Sequence, residues 1–305
     1  VFAMVKANGY GHGLVFVARC LAREVDGFGV ALLEEASALR EAGITAPVML
    51  LEGVFDADEL VVASALGCEL IVHSEWQLAL LESTVLPVPV AVWLKLDTGM
   101  HRLGLPLAEL DAAVSRLSRC GNGFLAGMVS HFACADISDD PMSDTQLEKV
   151  RAAATRFGVP YSAANSAAIF RYPHSAGARV RPGIMLYGSS PFTDRSAQSL
   201  GLQVTQRLSA RVIAVNDVPA GDAVGYGSSW RAQRDSRIAV VAIGYGDGYP
   251  RHAPAGTPVV IRGQRVALVG RVSMDMLTVD LSDLPEAAVG DAVELWGAQL
   301  AVDEV

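Results

Sequence analysis

Short apolar runs alternate with helical patterns over about the first 200 residues of the chain. The runs that predict strands are 1–6, 27–32, 47–52, 69–74, 89–96, 124–131, 159–165 and 179–187. Stretches with helical spacing lie between them, such as 34–41, 75–82, 107–118 and 144–157, each with Gly or Pro near its end. Strands too apolar to be half-exposed, separated by helices, indicate a parallel sheet covered on its outer face. Eight such units predict a (β/α)8 TIM-type barrel, an α/β fold, over residues 1–202.

The pattern changes from about residue 201 onwards. Shorter alternating runs predict strands at 203–212, 237–243, 258–261, 265–272, 277–281 and 292–295. Turn-forming segments such as PAGD, APAG and RGQ separate them, which is typical of hairpins. We therefore expect a C-terminal, mostly-β domain over residues 203–305. Both ends of the sequence fall inside apparent strands, so we expect the chain to be incomplete at each terminus.

Charge and cysteine usage narrow the functional class. The net charge is −9 and no basic stripe stands out, which argues against a nucleic-acid partner and a basic membrane-surface helix. The apolar runs are interrupted before they reach membrane-spanning length. Cys20, Cys68, Cys120 and Cys134 are scattered without CxxC spacing, so we expect reduced cysteines in a cytoplasmic protein.

The first predicted strand ends in a lysine and a glycine-rich turn, VFAMVK followed by ANGYGHG. A lysine at the end of a buried strand is costly unless its amine is neutralised, paired or used covalently. The glycines of the turn let backbone N–H groups approach an anion closely. Lys6 and this turn together suggest pyridoxal phosphate held as a Schiff base. The alternative is a surface lysine before a tight turn.

Unusual polar residues follow the other predicted strands as well. They are Lys95, Asp97 and Arg102 after strand five, His131 after strand six, Asn165 and Ser166 after strand seven, and Arg181, Gly183 and Tyr187 along strand eight. Functional groups of a barrel lie at the carboxyl ends of its strands, and phosphate sites form after strands seven and eight. Ser166 and the Gly183–Ile184 backbone therefore predict a phosphate site. The spacing of His131, Cys134 and Asp136 fits no standard zinc pattern, so we predict no metal site.

Eight motifs along the chain resemble those of the alanine racemase family, in the same order. They are VKANGYGHG, KLDTGMHRLG, SHFACAD, AANSAA, VRPGIMLYG, VGYGSSW, IGYGDGY and GRVSMD. The resemblance covers nearly the whole chain. It implies a pyridoxal-phosphate barrel followed by a β-domain, working as a head-to-tail homodimer with an active site shared between subunits.

The resemblance also implies roles for individual residues. Lys6 would carry the cofactor and act as one catalytic base, and Tyr226, donated by the other subunit, would be the opposite base. His131 would pack against the pyridine ring and Arg181 would donate to the pyridine nitrogen. The implied cofactor-binding set is Lys6, Tyr10, His131, Asn165, Ser166, Arg181, Gly183 and Ile184.

The implied substrate site combines Arg102 with Tyr245 and Met274, the last two from the partner subunit. Lys95 matches the family lysine that is often carbamylated, and its carbamate would orient Arg102. The chain departs from the family pattern in two places. Ser162 stands where the family usually has a histidine that bridges the arginine and the tyrosine base, and the chain ends before the family's C-terminal phosphate-binding tyrosine.

The function expected from these residues is two-base interconversion of L-alanine and D-alanine, supplying D-alanine for peptidoglycan or degrading it. A broader amino-acid or serine racemase is the alternative among racemases. In a decarboxylase with a barrel fold, a carboxylate rather than Arg181 would be expected at the pyridine nitrogen. A non-catalytic pyridoxal-phosphate carrier would need neither the β-domain nor a second base.

Overall fold

The computed structural model describes residues 1–305 and divides the chain into two compact units. Unit 1 comprises Val1–Leu186 and Pro191–Asp194, and unit 2 comprises Tyr187–Ser190 and Arg195–Val305. The domain boundary after residue 202 stays a prediction. All four cysteines are free. None of the helices combines the length and the apolar character needed to cross a lipid bilayer.

Unit 1 is a curled parallel sheet of seven strands in sequential order, β1 to β7. The strands are β1 (Phe2–Met4), β2 (Gly27–Val30), β3 (Val48–Leu50), β4 (Cys68–Val72), β5 (Val90–Lys95), β6 (Gly123–Val129) and β7 (Tyr161–Ser162). The helices that follow them are Leu14–Leu21, Leu33–Glu41, Ala57–Ala65, Glu75–Ser83, Leu110–Cys120, Met142–Phe157 and Ser166–Arg171. The predicted α/β barrel class is confirmed, and the carboxyl ends of all seven strands meet at one edge.

The eighth predicted strand, 179–187, is the part of the barrel that the prediction describes wrongly. Residues 178–182, called the closing segment below, run as extended chain between β7 and β1 without forming a strand. Its backbone N–H groups donate from Ala178 to Tyr161 and from Arg181 to Ala164, and it accepts from Phe2 and Met4, all at 2.9–3.0 Å. Pro182 has no N–H and so interrupts the ladder, and a 3-10 turn, Ile184–Tyr187, follows.

Large apolar side chains from five of the seven strands pack together in the interior of unit 1. A Cβ atom added to Gly127 of β6 would lie 2.4 Å from the Trp93 ring, and one added to Gly27 of β2 would lie 2.6 Å from the Phe2 ring. Glycine at these positions therefore makes room for an aromatic residue of the neighbouring strand. Trp93 and Phe2 join Met4, Met49, Ile71 and Val129 in one buried cluster.

Unit 2 is built on a closed antiparallel barrel in the order β11-β14-β13-β12-β15-β8. Its strands are β8 (Leu208–Val218), β9 (Ala223–Val224), β10 (Trp230–Arg231), β11 (Ser236–Val241), β12 (Pro258–Ile261), β13 (Gln264–Val269), β14 (Leu277–Asp280) and β15 (Ala292–Trp296). β8 closes the barrel because its first half pairs with β15 and its second half with β11. The predicted mostly-β character of this part of the chain is confirmed.

Candidate active site

Lys6 is held at the start of a left-handed backbone turn. Ala7, Asn8 and Gly9 all have φ between 52° and 64° and ψ between 44° and 50°. The Asn8 side-chain oxygen accepts from the Leu14 N–H at 2.9 Å and its carbonyl accepts from the Gly13 N–H at 2.8 Å. Each non-glycine residue in this conformation costs about 1–2 kcal/mol, so the turn is a strained feature directly after the lysine.

Tyr10, Ser166 and Gly183 meet at one corner of unit 1. The Ser166 hydroxyl oxygen accepts from the Gly183 N–H at 2.9 Å and from the Met185 N–H at 3.4 Å. A Cβ atom added to Gly183 would lie 2.4 Å from the Tyr10 hydroxyl oxygen, so a larger residue there would have to displace the Tyr10 side chain. Burial raises the pKa of Tyr10, which keeps its hydroxyl a neutral donor. Hydroxyl donors beside a glycine backbone are suited to a phosphate group.

Asn165 and Ile184 lie on either side of this corner. The Asn165 side-chain oxygen accepts from the Ala168 N–H at 3.0 Å and so caps the helix Ser166–Arg171. Its side-chain amide donates to the Phe132 carbonyl at 3.5 Å. Ile184 begins the 3-10 turn after Gly183, with its side chain partly exposed. The contacts of Asn165 are those of a helix cap.

Arg181 extends from the closing segment into a buried polar cage. Its guanidinium donates to the Ser162 hydroxyl, to the Ser130 carbonyl at 2.5 Å and to the Ala163 carbonyl at 3.4 Å. Burial lowers the pKa of Arg181 to about 10, so the group is charged at neutral pH. Ser162 in turn donates to the Arg179 carbonyl at 2.7 Å. Ser162 therefore anchors Arg181 directly in spite of its short side chain.

His131 presents a neutral ring beside this guanidinium. Its Nδ1 lies 3.5 Å from an Arg181 terminal nitrogen. Burial, together with the positive charges of Arg181, Lys95, Arg102 and Lys6, lowers the pKa of His131 to about 3. A ring that stays neutral can accept a hydrogen bond and stack against an aromatic group without adding charge.

Gln146 is a site residue that the sequence pattern did not single out. Its amide donates to the His131 carbonyl at 2.9 Å and to the Thr98 hydroxyl at 3.1 Å, and its oxygen accepts from the Ala133 N–H at 3.0 Å. It is buried on the inner face of the helix Met142–Phe157. A polar residue on the apolar face of a predicted helix was the signal available in the sequence.

Lys95 and Arg102 line one small cavity with His131. Burial and the nearby charges of Arg181, Arg102 and Lys6 together lower the pKa of Lys95 to about 8, against the opposing charge of Glu52. Asp97 organises the loop that carries Arg102, because its carboxylate accepts from the Gly99 and His101 N–H groups at 3.0 Å and from the His101 ring at 2.7 Å. Asp97 therefore caps the turn that leads to Arg102.

Tyr226, Tyr245 and Met274 lie in unit 2, on loops that pack against residues 270–274. The Tyr245 N–H donates to the Ser273 carbonyl at 3.1 Å and the Gly246 N–H donates to the Met274 carbonyl at 2.8 Å. A Cβ atom added to Gly227, next to Tyr226, would lie 3.3 Å from the Arg271 guanidinium. The side chain of Tyr226 is 72 % exposed and that of Met274 is 56 % exposed. Unit 2 therefore gathers these three predicted residues on one exposed loop cluster.

The predicted residues of unit 1 converge on the carboxyl edge of its sheet. The set that shares this edge is Lys6 after β1, Lys95 at the end of β5, His131 after β6, Ser166 after β7, and Arg181 and Gly183 in and after the closing segment. The charges of Lys6, Lys95, Arg102 and Arg181 all act on His131. Four cationic side chains around one neutral ring form a site for an anionic, aromatic ligand.

Comparison with known proteins gives the same family along the whole chain. Residues 1–191 match the family model "Alanine racemase, N-terminal domain" and residues 205–305 match "Alanine racemase, C-terminal domain". The alanine racemase of Alcanivorax borkumensis is 55 % identical over 305 residues, which are 100 % of this chain and 85 % of that protein. The biosynthetic alanine racemase of Pseudomonas aeruginosa is 49 % identical over 304 residues, again 100 % of this chain and 85 % of that protein.

Solved structures agree in fold as well as sequence. The crystal structure of the biosynthetic alanine racemase from Pseudomonas aeruginosa has a TM-score of 0.95 at 49 % identity, covering 100 % of this chain and 85 % of that one. The crystal structure of alanine racemase from E. faecalis has a TM-score of 0.88 at 33 % identity, covering 99 % and 84 %. With the strained lysine turn, the Arg181 cage and both domain models in place, this chain belongs to the alanine racemase family.

Proposed function

We propose that this protein is an alanine racemase that uses pyridoxal phosphate to interconvert L-alanine and D-alanine. The observation that carries the proposal is the caged Arg181 guanidinium, charged and beside the neutral ring of His131. In most sites for this cofactor we would expect a carboxylate beside the pyridine nitrogen. A guanidinium donates hydrogen bonds but has no atom that accepts one. It also keeps its proton at neutral pH, so it does not protonate the pyridine nitrogen.

The donor set of unit 1 fits pyridoxal phosphate. Ser166 and Tyr10 would offer hydroxyls to the phosphate at the corner next to Gly183, and the backbone at Gly183 and Ile184 would complete that corner. His131 would pack against the pyridine ring and Arg181 would donate to its nitrogen. Lys6 would hold the cofactor covalently through its Nζ, with Asn165 supporting the phosphate corner as a helix cap. When bound, pyridoxal phosphate supplies an electron sink that makes the alanine Cα proton labile.

Two bases on opposite faces of the substrate would perform the racemisation. Lys6 Nζ would remove or return the Cα proton on one face, and Tyr226 Oη of the partner subunit would do so on the other. Because each base serves one face, the substrate need not rotate between proton removal and proton return. The exposure of Tyr226 on the unit 2 loop cluster supports a role toward a second chain.

Substrate selection would rest on a cation and a narrow entrance. Arg102 would bind the alanine carboxylate, and Lys95, as its carbamate, would hold Arg102 in place. Tyr245 and Met274 of the partner subunit would narrow the entrance and favour a small side chain. The functional unit is therefore a head-to-tail homodimer.

The test is loss of circular dichroism from L-alanine incubated with purified, pyridoxal-phosphate-loaded protein, with L-serine and L-lysine in parallel. We expect the alanine signal to decay to zero well ahead of the other two. Comparable decay with serine or lysine would indicate a broader racemase. Stable signals from all three amino acids, with cofactor bound, would contradict the proposal and favour a carrier.

Tyr226→Phe separates the racemase from the carrier directly. The variant removes only the hydroxyl of an exposed residue, so we expect the fold and cofactor binding to survive. A racemase loses turnover, typically by a factor of 10²–10⁴ for one general acid–base group. Tyr161→Phe is the matched control, because that hydroxyl binds Arg151 instead. Full activity in Tyr226→Phe would remove Tyr226 from the mechanism.

A further inference from the structure

Arg179 connects the closing segment to β4 and β5, which lie across the interior of the curled sheet. Its guanidinium binds both carboxylate oxygens of Glu69 in β4, one of them at 3.0 Å. The same carboxylate accepts from the Trp93 indole N–H of β5 at 2.8 Å. The side chains of Arg179 and Glu69 are only 24 % and 15 % exposed. A bidentate, mostly buried pair of this kind is geometrically specific as well as attractive.

Two aromatic rings hold the Arg179 guanidinium. Its central carbon lies 4.1 Å from the Phe2 ring centroid and 4.5 Å from the Trp93 ring centroid. A planar guanidinium over an aromatic face gains cation–π attraction, more so where water is excluded. Arg179 therefore contacts β1, β4 and β5 from a single position in the closing segment.

The contact of Arg179 adds a side-chain anchor to the four backbone hydrogen bonds of the closing segment. Pro182 cannot donate, and the segment is not part of a regular ladder. Arg181 lies two residues beyond Arg179, so in extended chain both side chains point to the same face. The Arg179 carbonyl also accepts from Ser162, which itself binds Arg181. A shift at Arg179 is thus transmitted to Arg181 by two routes.

We propose that Glu69 and Arg179 are positioning residues that hold Arg181 in register with the cofactor. The proposal rests on the proposed function, because Arg181 is the group assigned to the pyridine nitrogen. Neither Glu69 nor Arg179 touches the reacting atoms. Their pair supplements the backbone bonds of the closing segment, in which Pro182 cannot donate.

The first test is hydrogen exchange in the cofactor-free protein, in Glu69→Gln and Arg179→Met. We expect the amides of Ala178 and Arg181 to exchange about tenfold faster in both variants. Arg179→Lys, which keeps the charge but loses the fork, should be intermediate. Arg156→Met is the matched control, since Arg156 pairs with Asp111 and stacks on Phe157 at the surface, away from the closing segment.

The second test measures cofactor affinity and a side reaction at the site, which general destabilisation of the fold does not change together. We expect pyridoxal phosphate to dissociate about tenfold more readily, a change of about 1.4 kcal/mol. We also expect more transamination per racemisation turnover. In that side reaction alanine and pyridoxal phosphate are converted to pyruvate and pyridoxamine phosphate in equal amounts. A ring nitrogen no longer held against the guanidinium is open to a proton from water, which favours that side reaction. The effects of the two single variants should not add up in the double variant, since both variants remove the same ion pair.

Three outcomes would overturn the proposal. Unchanged exchange in both variants would mean that the pair does not hold the closing segment. Faster exchange with unchanged affinity and side reaction would mean that the pair closes the barrel without positioning Arg181. Failure of the wild-type protein to bind pyridoxal phosphate would overturn the proposed function as well, and the wild-type control alone identifies that case.

Discussion

Lys95 lies in a buried position among positive charges, and both conditions disfavour the charged form of its amine. Burial and the charges of Arg181, Arg102 and Lys6 lower its pKa to about 8 from 10.5. At pH 8 about half of such amines are neutral, against about 0.3 % for an ordinary lysine. A neutral amine is the form that adds carbon dioxide. The resulting carbamate is negatively charged, so the neighbouring cations would attract it, whereas they repel the protonated amine.

We therefore expect one carbamate signal when the protein is equilibrated with ¹³C-labelled bicarbonate and examined by NMR. The signal should grow as the pH rises through 8, because the reactive amine gains population in that direction. It should vanish in Lys95→Arg and persist in Lys149→Arg, whose amine instead binds the Thr98 carbonyl. A signal that survives Lys95→Arg would place the modification elsewhere.

His131 predicts a pH dependence of stability. Its native pKa of about 3 lies below the 6.5 of the unfolded chain, so unfolding takes up a proton between those values. The stabilisation is complete above pH 6.5 and is lost as the pH falls toward 3, by up to about 1.4 kcal/mol per pH unit.

Urea unfolding of the cofactor-free protein between pH 4 and 6 measures this slope. We expect His131→Asn to have a shallower slope by about one proton. His174→Asn, at a side chain that is 57 % exposed, should keep the wild-type slope. Equal slopes in His131→Asn and the wild-type protein would show that His131 is protonated in the native state.

At the scale of elements, the lysine turn and the region after the closing segment meet at one contact. Gly183→Ala would place a methyl group 2.4 Å from the Tyr10 hydroxyl oxygen. We expect a loss of about 1–3 kcal/mol in the free energy of unfolding, as for other overpacked sites. Tyr10→Phe/Gly183→Ala should recover part of that loss without recovering phosphate affinity, which equilibrium dialysis would report. A Gly183→Ala protein as stable as the wild type would contradict the close contact.

The elements also show what a sequence pattern can and cannot specify. The first seven strands are predicted from apolar runs between helix stops, and β12 from its turn at Arg262-Gly263, because these signals are local. The strand predicted at 179–187 is wrong because the apolar residues that suggest it, Ile184–Tyr187, follow Pro182 and form a 3-10 turn instead. The left-handed turn at Ala7 and Asn8 escapes prediction, since most L-residues avoid positive φ unless tertiary contacts impose it.

The site divides in the same way. Lys6, His131, Ser166 and Arg181 are found by their place after strands and by family motifs. Gln146 and Arg179 are not, because their roles depend on partners that are distant in sequence, Thr98 for one and Glu69 for the other. Ser162 can be recognised in the sequence as a departure from the family, but its hydrogen bond to Arg181 is visible only in the three-dimensional structure.

At the scale of the whole molecule, a shared active site predicts complementation between two inactive variants. Lys6→Ala and Tyr226→Phe should each be inactive alone. After the two proteins are mixed, unfolded and refolded together, about half of the dimers are hybrids with one intact site of two. We expect about a quarter of the wild-type activity from the mixture. No recovery, with hybrid dimers detected by mass spectrometry, would place both bases in one chain.

The contact between β1 and the closing segment has a consequence for synthesis on the ribosome. Phe2 and Met4 bond to carbonyls of Val180 and Pro182, which leave the ribosome about 180 residues later. At 5–20 residues per second that interval is about 10–35 s. Arg181, Gly183 and Ile184 emerge last among the residues of unit 1 that we propose to bind the cofactor, so during this interval Lys6 follows a strand that lacks one of its neighbours. We therefore expect each new chain to bind the cofactor only after the closing segment has paired with β1.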